Sequence, residues 1–349
     1  MPNNELNIYI PNNLSVGIIQ SQLINKGNHF FSKKYSSIKY HANIKNQKKL
    51  IDLTVVNIKW YKTLLSSLLN LPDETNIYTR SIWEFLLVLV VGKLLKKSYV
   101  IYDYRGLISS EFSFNNGSLL KLIILKFCEK LPAKYANEIH TVSIKFKNHL
   151  EDKFRTKVHH VIPCLVNEVR LPVQTPVDGK IKFIYVGSMS KWQKIDVVLN
   201  LYKKIHQKID CSLTIITNEP VKAKKQINDN EKNDIDILTG DNAFVLEQLK
   251  SHHVGFLFRD NYLFNNVASP VKLLEYITNG VLPFMSDHIG DYSQLTKNLK
   301  ISIQEKNTIS REEIMDKRNQ LFKIKNQLDI FSWSNYDEEK YFNLIISNK

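Results

Sequence analysis

A lysine and a glutamate three residues apart, Lys272 and Glu275, stand inside "NNVASPVKLLEYITNG", residues 265–280. On a helix, positions i and i+3 are neighbours, so the ammonium and the carboxylate share a polar stripe with Tyr276 and Asn279, while Leu273, Leu274 and Ile277 form the apolar side. Ser269 offers a capping hydroxyl, Pro270 suits the first helical position because it has no N–H to leave unsatisfied, and Gly280 supplies a stop. A helix N-terminus presents free N–H groups and a positive dipole end, which seat phosphate. A glutamate further in can accept hydrogen bonds from sugar hydroxyls. The ligand this suggests is a nucleotide. A solvated surface helix would carry the same pair, so the rest of the chain must decide.

The elements around this helix alternate. "NIYI", "LTVVNI", "NIYTR", "YVIYDY", "IHTVS" and "HHVIP" read as strands in the first half; "IKFIYVG", "SLTIITN", "DIDILTG", "VGFLFR", "LPFMSD" and "KISIQ" read as strands in the second. Amphipathic stretches such as "DVVLNLYKKIHQKI" lie between them. This βα repetition predicts an α/β protein with parallel sheets covered on both faces. At 349 residues, two domains are expected. The break falls in the proline-rich, aperiodic stretch 163–180, giving domains 1–165 and 166–334. A closing helix at about 335–349 is free to pack back on the first.

Charge divides unevenly. The whole chain carries +14; residues 1–170 hold 24 Lys/Arg against 12 Asp/Glu, and residues 171–349 hold 24 against 22. The basic first half points to an anionic partner, a phospholipid surface or a polyphosphate. Nucleic acid is not expected, because the lysines are scattered and no nucleic-acid-binding signature accompanies them. Three cysteines without C-x-x-C spacing argue against a disulfide framework or a zinc site. The start "MPNNELNIYI" lacks a secretory pattern, and the longest apolar run is too short to span a bilayer, so a cytoplasmic chain is expected.

The segment from Lys182 to Gln294 resembles the donor-binding domain of retaining glycosyltransferases of the GT-B fold, family 4 type, in "FIYVGSMSKWQKID", "VGFLFRDN" and "NNVASPVKLLEYITNGVLPFMSD". The resemblance implies two Rossmann-like, doubly wound domains facing across a cleft. It also implies that Gly187 and Ser188 sit against the donor diphosphate and that Glu275 holds the ribose. Lys272 and the backbone around Ala268 and Ser269 would then lie near the phosphates, and Lys191 or Arg259 would add charge against the leaving diphosphate. Many members place Arg directly after the glycine and Lys further along that turn. Here those positions are Ser188 and Gln193, with Lys191 and Lys194 as substitutes. The first glutamate of the family's E-x7-E pattern is replaced by Val267, which leaves the sugar to Asn265 or Asn266.

In the first half, "YVIYDYRGLISSE" resembles a D-x-R-G segment of bacterial surface-polysaccharide transferases, implying that Asp103, Arg105 and Glu111 face the cleft. Asp103 and Arg105 are also spaced as a structural ion pair would be. "NNLSVGIIQSQL" resembles the first strand-to-helix loop and would offer Ser15, Gly17 and Gln22 to an acceptor. His41 and His140 belong to no motif. Asp234 and Asp236 form a D-x-D that reads as part of a strand, and no metal and no cofactor beyond the nucleotide-sugar substrate are expected.

The reaction implied is a metal-independent, hexosyltransferase-like transfer of a sugar from a nucleotide sugar to a lipid-linked or growing glycan. It would serve capsule, O-antigen or lipopolysaccharide synthesis, with retention, at the inner face of the membrane. Asp103, Arg105 and Lys272 are the expected catalytic groups. The helix "SLLKLIILKFCEKL", with Lys121, Lys126 and Lys130, is the candidate membrane contact. A non-catalytic nucleotide-sugar-binding or scaffold protein of the same fold is the alternative, and an epimerase a further one.

Overall fold

Every strand expected in the second half forms, each a short apolar run, β-branched in Ile181–Val186, Cys211–Ile216 and Ile235–Leu238. The computed structural model describes residues 4–10, 20–42, 55–57, 60–115, 117–169, 171–172, 177, 179–227, 234–306 and 308–346. Ser15 and Gly17 lie outside them. The chain divides into two compact units, Met1–Asn167 and Glu168–Lys349.

The first unit holds β1 (Glu5–Tyr9), β2 (Ser37–Ala42), β3 (Val55–Asn57), β4 (Asn76–Thr79), β5 (Tyr99–Asp103), β6 (Glu138–Thr141) and β7 (His160–Val161) in one parallel sheet, ordered β3-β2-β1-β4-β5-β6-β7. The strand that sequence patterning misses is β2. "SIKYHA" sets Lys39 and His41 between Ile38 and Tyr40, without the continuous apolar run usual for a buried parallel strand. His41 is nevertheless buried, stacked on Tyr9 and hydrogen-bonded to Asn7 at 2.7 Å.

The second unit holds β8 (Ile181–Val186), β9 (Cys211–Ile216), β10 (Ile235–Leu238), β11 (Val254–Leu257), β12 (Leu282–Met285) and β13 (Ile303–Gln304), ordered β10-β9-β8-β11-β12-β13, also parallel. Its core gathers Phe183, Val198, Leu201, Leu213, Phe256 and Phe284 between sheet and helices. In both sheets the strand order reverses beside the first strand, between β1 and β4 and between β8 and β11. In open α/β sheets, ligands bind at the carboxyl ends of the strands at that reversal.

The closing helix, Glu338–Ile346, left open by the sequence, is anchored in the second unit. The Tyr341 hydroxyl reaches Asp291 at 3.2 Å, and Asn298 donates to the Leu344 and Ile345 carbonyls at 3.0 and 3.2 Å. The fully buried Tyr341 ring explains the choice, since it fills the space beside helix Tyr292–Asn298.

Candidate functional site

At the reversal point of the second sheet, β8 ends at Val186 and the chain turns at Gly187. A Cβ there would stand 2.5 Å from Gln193 Oε1, 2.9 Å from Lys272 Nζ and 3.0 Å from the Tyr185 hydroxyl, so only glycine fits without displacing one of them. The turn that follows is tied by polar bonds. The Tyr185 hydroxyl donates to the Ser188 carbonyl at 2.7 Å, Ser188 and Ser190 hydroxyls pair at 2.8 Å, and the Met189 N–H donates to Glu219 at 2.8 Å. The chain then passes through a short helical turn, Lys191–Gln193, to Lys194, whose φ of 52° is left-handed and uncommon for a non-glycine residue.

Two cations meet beside this turn. Arg259 follows β11 on the neighbouring strand; it is buried, stacks on the Trp192 ring at 4.4 Å, and donates to the Phe258 carbonyl at 3.0 Å. Lys272 rises from helix Val271–Thr278 and stands over the Tyr185 ring at 5.8 Å. Both reach the same neutral atom, Gln193 Oε1, Arg259 at 3.4 Å and Lys272 at 3.3 Å. Among the described residues no carboxylate forms an ion pair with either cation. Burial, and then the Arg259 charge, push the Lys272 pKa down from 10.5 to about 7, against the opposing pull of Glu275. Burial likewise lowers Arg259 to about 10. Burial raises Glu275 above the ordinary carboxylate value, with Lys272 opposing, and no described residue hydrogen-bonds its carboxylate.

The helix differs from its sequence reading in two ways. Pro270, not Ser269, is its N-cap, and no side chain caps the first turn; the Ser269 hydroxyl donates to Tyr292 at 2.9 Å instead. Tyr276, read onto the polar face, is buried. Its ring enters the slot left by Gly255, where a Cβ would come within 2.5 Å, and its hydroxyl joins the Val186 N–H and the Phe256 carbonyl at 3.3 Å each. The tyrosine thus clamps β8 to β11 and fixes the glycine turn against Arg259. Gly280, at a φ of 74°, ends the helix as expected.

Other expected donor residues are distributed unevenly. Lys194 is turned to Asp260 at 3.0 Å, and Lys191 is exposed, so the cations at the glycine turn are Arg259 and Lys272 rather than these two. Asn266 donates to Asn261 at 2.8 Å, Asn265 to the Asp260 carbonyl at 3.0 Å, and Val267 is buried. The Ala268 carbonyl lies where a Gly290 Cβ would be, so Gly290, at a φ of 49°, allows that loop to close. Gln193, Trp192 and Tyr185 are the functional neighbours that sequence reasoning did not assign. Gln193 was visible only as the residue standing where a lysine was expected.

In the first unit, Asp103 is fully buried and therefore does not meet a substrate as a catalytic carboxylate would. It pairs with the equally buried Lys26 at 3.0 Å, accepts from the Tyr78 hydroxyl, and lies 3.6 Å from Arg105. Burial alone would raise its pKa, but Lys26, Arg105 and Arg80 together outweigh that and hold it below the usual carboxylate range. Burial lowers Lys26 to about 8. Arg105 is held by Gln22 at 2.9 Å and by Cys164 at 2.8 Å, so Gln22 serves the same cluster. Glu111 is exposed on helix Ile108–Phe114, whose first turn is capped by Glu129 through Ser109 N–H and hydroxyl at 2.7 and 2.6 Å.

Glu138, His140 and His160 are close enough together to hold a metal ion, with ligand atoms within 4.8 Å of one another. They are already bonded otherwise. His140 Nε2 meets Glu138 at 2.7 Å, and Glu138 also takes Lys34 at 2.8 Å and the Tyr99 hydroxyl at 3.2 Å. The D-x-D pair shows no such clustering: Asp234 is bound by Lys180 and His206 at 2.7 and 3.0 Å, and Asp236 is exposed at the sheet edge.

The fold that positions these groups is GT-B, with one Rossmann-like α/β unit in each half. Solved structures that share it include WaaG, a glycosyltransferase involved in lipopolysaccharide biosynthesis, at 10% identity and a TM-score of 0.62 over 98% of this chain and 100% of that one. Anabaena HepE in complex with UDP-glucose matches at 9% identity and a TM-score of 0.64 over 98% and 96%. A glycosyltransferase from Rickettsia africae matches at 13% and 0.62 over 99% of both chains. No family model matches the sequence, and no curated protein resembles it closely enough to count as a relative.

Proposed function

We propose that the protein is a glycosyltransferase that moves a hexose from a nucleotide-sugar donor to a lipid-linked or growing glycan, at the cytoplasmic face of the membrane, in the synthesis of a surface polysaccharide. The observation that carries the reading is the pair Arg259 and Lys272, a buried and a half-buried cation sharing one neutral amide oxygen beside a glycine turn at the sheet's reversal point. Withdrawing two neighbouring cations from water, one fully and one in part, without a carboxylate partner is expensive, and a diphosphate supplies the missing counter-charge. Glu275, whose carboxylate no described residue hydrogen-bonds, suits the ribose hydroxyls. The structural likeness to HepE bound to UDP-glucose and to WaaG supports a nucleotide-sugar donor.

In this reading the bond from the anomeric carbon to the donor phosphate oxygen breaks and its electron pair passes to the diphosphate. Arg259, Lys272 and the uncapped helix N-terminus stabilise the growing charge. The acceptor oxygen forms the new bond on the same face, and its proton leaves to a phosphate oxygen, giving retention. Asp103 takes no part; it keeps the first unit's core together. A non-catalytic nucleotide-sugar-binding protein is the second reading, favoured by one observation, the buried Val267 where the resembling family carries its first glutamate.

The test is a thermal-shift screen of the purified chain against UDP, GDP, ADP, CMP and dTDP, since a ligand that binds only the folded state raises its stability by mass action. One selective nucleoside diphosphate is the expected result. A folded protein that responds to none would overturn the donor site. Binding without turnover on any lipid-linked acceptor would favour the second reading.

A further inference from the structure

Glu138, His140 and His160 converge through strand geometry. Side chains two apart on a strand share a face, which puts Glu138 and His140 of β6 on one side of the sheet, and β7 runs parallel to β6 with His160 opposite His140. One carboxylate and two imidazoles thus meet at the edge of the first sheet. His140 Nε2 stands 2.7 Å and His160 Nε2 3.8 Å from the same atom, Glu138 Oε1, and the ligand atoms of the three residues lie within 4.8 Å of one another. A tetrahedral ion about 2.0–2.2 Å from each ligand holds its ligands about 3–3.5 Å apart, so shifts of about an ångström close the set.

The bonds these groups already make are compatible with an ion between them. Lys34 at 2.8 Å and the Tyr99 hydroxyl at 3.2 Å both bind the other carboxylate oxygen, Oε2, and so fix the carboxylate with Oε1 toward the imidazoles. The His140 ring stacks on Phe31 at 5.8 Å, and Phe30 packs edge-on against His140 at 5.7 Å and His160 at 5.1 Å. Outer contacts of this kind orient the ligands of metal sites. The bond an ion displaces is the one between His140 Nε2 and Glu138; the ring proton then sits on Nδ1, which has no hydrogen-bond partner to lose. Glu138 and His140 are buried, whereas His160 is partly exposed, which leaves a side where an ion enters and keeps a water. We propose that Glu138, His140 and His160 bind one zinc ion, which ties the edge strand β7 to β6. Two imidazoles and a carboxylate suit zinc, while magnesium and calcium take oxygen ligands. β7 is two residues long, lies at the edge of the sheet and leads into the aperiodic stretch 163–180, so the ion braces a strand with little pairing of its own. It takes no part in sugar transfer, and the inference does not rest on the donor reading.

The test uses the full chain, free of any affinity tag and stripped of metal with a chelator. Titration with cobalt(II), a spectroscopic stand-in for zinc, should give the visible bands of a four-coordinate ion, saturating at one equivalent and erased by zinc. Zinc should also raise the Tm saturably, as a ligand of the folded state does. His160→Gln changes a partly exposed side chain and should abolish the bands while the Tm of the metal-free protein stays at the wild-type value. His159→Gln should leave the bands intact, because that neighbouring ring accepts the Ile139 N–H at 3.1 Å instead. Tyr99→Phe removes an outer hydrogen bond and should weaken zinc binding roughly tenfold. Cobalt binding that is featureless or does not saturate, zinc that lowers the Tm, bands that survive in His160→Gln or bands that vanish in His159→Gln would each overturn the inference.

Discussion

Replacing Lys272 with methionine should make the protein more stable and a worse binder at once. Methionine keeps the unbranched body over the Tyr185 ring and removes the charge. In the folded chain, burial and Arg259 lower the lysine pKa from 10.5 to about 7. A shift of one pKa unit corresponds to about 1.4 kcal/mol, so the charged lysine costs on the order of 4 kcal/mol at and below neutral pH before solvent access is considered. The ammonium is partly reached by solvent, so about 2 kcal/mol is the gain to expect. The sign is set by a depressed lysine. Below about pH 7 both folded and unfolded chains hold the proton and the cost is full. As pH rises from about 7 towards 10.5, the folded chain releases the proton first and the cost fades. The stability advantage of Lys272→Met over wild type, measured by urea unfolding, should therefore be largest at pH 7 and shrink at pH 9.5. Binding moves the other way. A hydrogen bond to a charged group contributes about 1.5–3 kcal/mol, so the selected nucleoside diphosphate should bind roughly 10- to 100-fold more weakly by calorimetry. Wild-type affinity should itself decline as pH rises above 7, because the ligand binds the ammonium form. A variant that binds as tightly as wild type, or that is less stable at both pH values, would refute the assignment of Lys272 as an anion-binding cation held at the expense of stability.

Three further outcomes follow from the same geometry. Gly187→Ala places a methyl 2.5 Å from Gln193 Oε1 and 2.9 Å from Lys272 Nζ, and should weaken nucleotide binding at least about tenfold while lowering stability by only about 1–3 kcal/mol, as overpacking does; calorimetry and urea unfolding read the two separately. Glu275→Ala should raise the donor KM strongly, and an unchanged KM would remove the ribose contact. Asp103→Asn leaves Lys26 buried beside Arg105 without a carboxylate, and should lower stability by about 3–5 kcal/mol while the nucleotide affinity measured on the remaining folded protein stays at the wild-type value.

Much of this architecture is legible in the chain because it is local. All six strands of the second sheet announce themselves as short apolar runs, and Gly187 and Gly280 stand where a turn or a stop must form. What is not legible depends on contacts distant in sequence. Lys26 meets Asp103 across 77 positions, from a short stretch with no apolar periodicity, and nothing in either segment announces the other. Tyr276 lies on the border between the two helical faces, and its burial is decided by Gly255, a residue on another strand. For the same reason spacing alone could not separate two clusters that have similar sequence signatures. In the first unit Lys26 and Arg105 share the carboxylate of Asp103, which offsets part of their charge within the protein. In the second, Arg259 and Lys272 meet at an amide oxygen, and among the described residues no carboxylate pairs with either. A carboxylate at position 193 would have paired with the second cluster's cations as Asp103 pairs with Lys26. The glutamine there joins the two cations without cancelling them, so their field remains available to an anion at the mouth of the sheet.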